Sequence, residues 1–321
     1  MRTCGRWRGV RLVVATLLLL GYVGWGGFLV RSGWGLAEPA MEPQQPVPEP
    51  VDRVVRVASI QYAPVFAKPQ QNRVALIELV RKAALGGAKI IVMPETAIPG
   101  YLSANHRVNW QVEGRPLDPA YSGRSPVEVA ETVPGESSEA FGALARELKV
   151  YVAMTLIEKS GEGDEVRYFN TMCLLSPTGE LVGHYRKLHP YPPTEKSWAT
   201  PGDRGVQVVE TEYGKVAMAI CYDIHFVLDE YDQHEPWALL FSSSWVSDEY
   251  PADWFWQEMP EKAVKHHLNV IGANWSSEKP QSWRGYGFSE IIRWDGEVLA
   301  CTHRLLGSDI VYADLPCAPV K

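Results

Sequence analysis

A chain of 321 residues with 46% hydrophobic residues can bury a full core, as one large domain or two small ones. Its net charge of −7, with acids and bases interspersed and no long basic run, argues against a nucleic-acid footprint. The five cysteines (Cys4, Cys173, Cys221, Cys301 and Cys317) lack the CxxC pairs of a zinc site and are too sparse for a disulfide framework.

The N-terminus carries the first signal. Arg2, Arg6, Arg8 and Arg11 precede the uncharged run "LVVATLLLLGYVGWGGFLV" over residues 12–30, and only Arg31 follows closely. That asymmetry keeps the basic side cytoplasmic and sends the remainder out of the cytoplasm. The run is long for a signal-peptide core and just long enough, as one apolar helix, to span a bilayer. Gly35-Leu36-Ala37 is an acceptable cleavage site. Residues 1–37 are therefore a signal peptide or a membrane anchor, engaging the export machinery or the membrane. The expected location is periplasmic or extracellular. Residues 38–52, rich in proline, acids and glutamine, read as an extended linker.

The folded domain is expected over residues 53–321. "VVRVASIQY" alternates as a strand should, and "NRVALIELVRKAALGGAK" has helical spacing and closes on a glycine pair. "IIVMPE" is a short apolar strand, "SEAFGALARELKV" a helix, and "YVAMTLIEK" and "YFNTMCLLS" are strands. The turn "PTGE" makes a hairpin with "LVGHYRKL", and "VQVVETEYGKVAMAIC" is two strands about a "YG" turn. "EPWALLFSSSW" ends in a strand, and "WFWQEMPEKAVKHHL" is helical. "NVIGANWS", "GFSEIIRW" and "EVLACTH" are strands joined by turns. This alternation predicts an α/β layered fold with mixed sheets, and nothing past residue 52 marks a second domain.

Three of these strands end on a reactive side chain. Glu95 follows "IIVMP", Lys187 follows "GHYR", and Cys221 follows "VAMAI". Taken singly, each has an ordinary explanation: a capping or solvated glutamate, an edge lysine, a small core thiol. Together they meet the needs of thiol chemistry, in which a base generates the thiolate and a cation receives charge on the attacked oxygen.

Four blocks in order, "PETAIPGY", "SPTGELVGHYRKLHP", "AICYDIHF" and "GYGFSEIIRWDGEVLA", resemble the nitrilase superfamily, the carbon–nitrogen hydrolases. The resemblance spans roughly residues 53 to 316 and implies an α-β-β-α sandwich. Carried over, Glu95 would be the general base, Lys187 the oxyanion-stabilising cation and Cys221 the nucleophile. The backbone N–H of Tyr222 would be a second oxyanion donor. Glu195 completes the K-x-x-P-x-x-P-x-E pattern of amidase-type members, eight positions after Lys187 (195 − 187). Its implied role is to position substrate and assist proton transfer to the leaving amine. Trp245, at the end of "FSSSW", is the candidate pocket wall. Trp110, Tyr121 and the insert after Tyr101 are the candidate rim.

The chain departs from the family after the nucleophile, where "CYDIHFVLDEY" has His225 for the usual arginine and Val227-Leu228 for a Pro-Glu pair. This shares something with the vanin and biotinidase branch. The expected activity is hydrolysis of a non-peptide carbon–nitrogen bond, an amide above all, through a thioester on Cys221. A nitrilase, or a catalytically silent binding protein on the same fold, is the alternative. The chemistry calls for no cofactor and no metal, and His266 and His267 read as surface or packing residues. The expected partner is a small-molecule amide and not a nucleic acid. A homo-oligomer is left open.

Overall fold

A computed structural model of the chain describes residues 53–101, 125–192, 194–245, 258–278, 286–302 and 304–318. The expected apolar helix and linker, the insert after Tyr101, and Trp110 and Tyr121 lie outside the described residues. No helix among the described residues is long and apolar enough to cross a membrane.

The first half of the domain runs β1 (Val54–Gln61), α1 (Pro69–Leu85), β2 (Ile90–Val92), α2 (Glu136–Leu148), β3 (Tyr151–Ser160), β4 (Arg167–Leu175) and β5 (Leu181–Arg186). The second runs β6 (Val208–Thr211), β7 (Gly214–Ile220), the short α3 (Leu228–Tyr231), β8 (Ala238–Ser243), α4 (Met259–Lys265) and β9 (Asn269–Asn274). It finishes with β10 (Glu290–Ile292), β11 (Val298–Cys301) and β12 (Asp309–Pro316). These strands make two six-stranded sheets, ordered β12-β1-β2-β3-β4-β5 and β11-β10-β9-β8-β7-β6. Both are mixed. β1, β2 and β3 pair parallel, as do β7, β8 and β9, and the flanking strands pair antiparallel.

Alternation along the strands separates the layers. Val55, Val57, Ile90 and Val92 of one sheet and Val216, Met218, Ile220 and Leu240 of the other share one core between the sheets. Ala58, Ile60 and Ile91 point the opposite way, into a core with Leu76 and Val80 of α1 and Phe141 and Leu144 of α2. On the far side Ala217, Leu239, Phe241 and Val270 pack against Leu228, Tyr231, Met259 and Ala263 of α3 and α4. The layers are therefore α-β-β-α, as the sequence implied.

The eight-residue β12 is an addition to the strands expected from sequence. It pairs with β1 along its whole length, Val54 opposite Pro316 and Gln61 opposite Asp309. The two sheets are also stitched by polar bonds. Ser59 Oγ donates to the Gly272 carbonyl at 2.6 Å, and Ser242 Oγ to the Met93 carbonyl at 2.6 Å. Both hydroxyls are buried, and each replaces its bond to water with one to the opposite sheet.

Candidate active site

Four strand ends converge. Beyond β2 lies Glu95, beyond β5 Lys187, beyond β7 Cys221, and beyond β8 Ser244 and Trp245. Carboxyl ends of strands in α/β sheets are where such folds place ligands, because the chain leaves the sheet there and its side chains are free of the ladder.

Lys187 is 1% exposed, and Glu95 and Glu195 are equally buried at 1% and 0%. Its Nζ donates to Glu95 Oε1 at 2.7 Å and to Glu195 Oε1 and Oε2 at 3.0 and 2.8 Å. An ammonium in such a place is tenable only because two carboxylates compensate it. Burial alone would lower its pKa, but the charges of Glu195 and Glu95 outweigh burial and raise it. Lys187 therefore stays a cation. Arg186, its neighbour, grips Glu158 through Nε at 3.1 Å and Nη2 at 2.5 Å and Asp203 at 2.8 Å, and lies over the Phe169 ring at 3.9 Å. The strand end that carries the lysine is thus held on its other face as well.

Glu195 sits in the loop after Lys187, and that loop folds back on itself, with the Tyr191 N–H donating to Glu195 Oε2 at 2.5 Å. Glu95 accepts the Ser244 N–H on Oε2 at 2.7 Å, and the Ser244 hydroxyl donates to its carbonyl at 3.1 Å. Burial pushes the Glu95 carboxyl up to about 7. Lys187 pulls against that rise and Glu195 adds to it. A carboxyl near 7 can both take and give a proton at neutral pH.

Cys221 is buried and has φ +45°, a left-handed conformation that a side chain other than glycine adopts at some cost. It opens a short 3₁₀ turn, Cys221–His225, directly off β7. Burial pushes the thiol up, Glu95 pushes it further, and Lys187 and the Ser243 hydroxyl oppose them. The resting group is therefore a thiol, and attack requires a base to remove its proton. Thr96, next to Glu95, also has a positive φ, 44°. Glu95 thus stands beside a strained backbone position, and Cys221 occupies one.

Asp223, two residues after Cys221, links the thiol turn to the lysine loop. It accepts from Tyr185 Oη at 2.7 Å and from the backbone N–H of Leu188 and His189 at 3.3 and 2.8 Å, with His189 Nδ1 2.9 Å away. Tyr222 is half-buried, its ring edge-on to Tyr191 at 5.4 Å and Phe226 at 5.1 Å. Trp245 packs on the core. Its N–H donates to Asn274 Oδ1 at 3.0 Å, and its carbonyl accepts from Trp275 Nε1 at 2.8 Å. Tyr101 is buried within reach of the charges of Glu195, Glu95 and Cys221.

Asn170, on β4 with its side-chain nitrogen donating to Glu95 and Glu195, escaped the sequence reading, as did Asp223 and Ser244. Asp223 lay inside the quoted "CYD", and its carboxylate in an otherwise apolar, buried run was the available signal. The other two gave none. Among the described residues one cluster has the composition of a metal site, Asp229, Asp232 and His266. Lys265 lies 3.0 Å from Asp229, and His266 Nδ1 lies 2.9 Å from Asp232. His267 stacks on Trp294 at 4.3 Å.

Comparison with known proteins places this arrangement. Residues 56–321 match the carbon-nitrogen hydrolase family. The chain is 26% identical over 272 residues to the omega-amidase NIT2 of Homo sapiens, covering 81% of this chain and 88% of the human protein. It is 29% identical over 174 residues to a nitrilase of Pyrococcus abyssi, covering 54% of this chain and 58% of that protein. Among solved structures, a mutant of the amidase from Nesterenkonia sp. AN1 in complex with butyramide superposes with a TM-score of 0.66 at 19% identity. That superposition covers 82% of this chain and 91% of the amidase, and it speaks for the fold. The chain belongs to the carbon-nitrogen hydrolase family, enzymes that cleave carbon–nitrogen bonds other than peptide bonds.

Proposed function

We propose that the protein hydrolyses a small-molecule amide through a thioester on Cys221. The observation that carries this is the buried ion cluster of Lys187 between Glu95 and Glu195, whose charges all act on the Cys221 thiol. Glu95 takes the thiol proton as Sγ bonds to the amide carbon, and the carbonyl π electrons become an oxyanion. Lys187 and the N–H of Tyr222 face that charge. The oxyanion collapses, the C–N bond breaks, and Glu95 returns its proton to the departing nitrogen. Water then attacks the thioester, giving its proton to Glu95. The C–S bond breaks, the acid is released, and the thiolate is reprotonated.

An amide fits better than a nitrile because an amine leaves readily only when protonated, and a carboxyl near 7 is suited to supply that proton. A nitrile has no leaving amine in its addition step. Trp245 and Tyr222 serve this reading as pocket walls. On the basic and apolar order of residues 1–37 we also propose that the domain works outside the cytoplasm, which cell fractionation of the full chain would test.

The functional test is a panel of matched amides and nitriles with acid-quenched intact-mass analysis. The expected result is amide turnover, with an acyl mass on Cys221 that is lost in Cys221→Ala. A parent that converts the nitrile far faster than the amide removes the amide reading. An active Cys221→Ala enzyme removes the mechanism.

A further inference from the structure

Asn170 lies on β4, 1% exposed, and its side-chain nitrogen donates to Glu95 Oε1 at 2.7 Å and to Glu195 Oε1 at 2.6 Å. Lys187 Nζ donates to the same two oxygens, at 2.7 and 3.0 Å. Two donors and two acceptors therefore alternate around a closed ring. An amide NH₂ has two hydrogens, and this one spends both on the glutamates. The reversed amide would set its oxygen against two carboxylate oxygens. The Asn170 Oδ1 is left with no hydrogen-bond partner among the described residues. A buried asparagine that served only the fold would be expected to satisfy that acceptor.

Counting lone pairs shows what the ring does. Each carboxylate oxygen offers two. Glu195 Oε1 receives Asn170 and Lys187, and Glu195 Oε2 receives the Tyr191 N–H at 2.5 Å and Lys187 at 2.8 Å. No place on Glu195 is open. Glu95 Oε1 is filled by Asn170 and Lys187, while among the described residues Oε2 receives one donor, the Ser244 N–H at 2.7 Å.

We propose that Asn170 is a positioning residue for the reaction: by tying both glutamates through one amide, it leaves Glu95 Oε2 as the ring's one open acceptor for the Cys221 proton and reserves Glu195 for holding Lys187. The inference rests on the reading of Cys221 as nucleophile and Glu95 as base. The S–H bond breaks toward Glu95 Oε2 as the C–S bond forms, and the same oxygen returns the proton to nitrogen as the C–N bond breaks. Glu195 then acts through Lys187 and not as a second acid, which revises the role its motif implied.

The test needs no substrate. Iodoacetamide alkylation of Cys221 is followed against pH in the parent and in Asn170→Ala, with the site located by peptide mass mapping. The ionisable groups that bear on Glu95 are Lys187, Glu195, Tyr101 and Cys221, and the substitution changes none of them. Two donors that favour ionised carboxylates are lost. The midpoint of the alkylation profile is therefore expected to move up by about one pH unit. Asn170→Ser, which keeps one hydroxyl donor, is expected to fall between and serves if the alanine protein does not fold. An equal rate loss at every pH, with the midpoint unmoved in a folded variant, is a packing role only and overturns the proposal. A parent not alkylated at Cys221 overturns the nucleophile assignment and this inference with it. A parent alkylated at Cys221, with the expected shift in the variant but no turnover of any amide, upholds the ring and removes only the amide reading.

Discussion

Glu290 stands at the start of β10, opposite Gly272 on β9 and Cys301 on β11. It is 1% exposed, and neither carboxylate oxygen has a hydrogen-bond partner among the described residues. Burial, with nothing to oppose it, holds its pKa well above the ordinary 4.5. Two costs follow. Even the neutral carboxyl gives up its bonds to water, roughly 1–3 kcal/mol. In addition, each pH unit between the ordinary value and the raised one costs about 1.4 kcal/mol, because the unfolded chain releases the proton first. A raised acid binds more protons folded than unfolded, so stability falls as pH rises through that window.

Glu290→Met is close to the same length and removes both costs, against less than about 1.5 kcal/mol for imperfect packing. The variant is expected to be more stable than the parent at pH 7, by a margin that is smaller at pH 5 and grows by about 1.4 kcal/mol for each pH unit through the window between the ordinary and the raised pKa. Urea unfolding followed by tryptophan fluorescence at pH 5, 7 and 8 measures it. A variant less stable than the parent, or a difference that does not grow with pH, would refute the account of Glu290 as a buried, unpartnered acid.

Four further outcomes are expected. Lys187→Met should lower kcat by about two orders of magnitude or more, the loss typical of one oxyanion donor, and an unchanged kcat would reduce it to a structural ion. Glu195→Gln should lower both amide turnover, at least as severely, and the melting temperature, because an NH₂ group would then face the buried Lys187, Asn170 and Tyr191 donors. Unchanged kinetics and melting would overturn this reading of Glu195. With Glu95 ionised as the working base, kcat/KM should rise about tenfold per pH unit below about 7 and level off above it, whereas a profile flat from pH 5 to 8 would exclude it as base. Burial works against ionised Glu158, but bonds from His184, Arg186 and Thr171 prevail and pull it down to about 2. Glu158→Gln should therefore cost about 3 kcal/mol at neutral pH, a difference that closes as pH falls from 4.5 toward 2 in paired acid titrations of stability.

The strand-end placement of the reactive side chains was legible in the sequence because it is local: apolar runs stop, and Glu95, Lys187 and Cys221 follow them. The layer order was legible for a similar reason, since alternation within each strand declares two buried faces. Asn170 and Ser244 were not legible. Asn170 reaches Glu95 across 75 positions of chain and Ser244 across 149, and nothing in "YFNTM" or "FSSSW" announces a partner so distant. β12 was missed although "DIVYADLP" alternates, because an edge strand that returns to the first strand has no local turn to declare its pairing. β2 is only three residues long and would be unreadable without the block that follows it.

The pairing of β12 with β1 also means that one of the two sheets is completed late in the chain. Glu95 and Lys187 belong to the sheet that β12 completes, and Cys221 to the other. A nascent chain that has made Glu95, Lys187 and Cys221 still lacks the strand that fastens β1. Residues 309–316 act as a clasp, so an interrupted chain ending before them carries those three groups but leaves β1 as an unpaired sheet edge. A chain cut before Asp309 should therefore unfold at lower urea concentration than the parent, and its bare β1 edge should make it prone to pair with other chains.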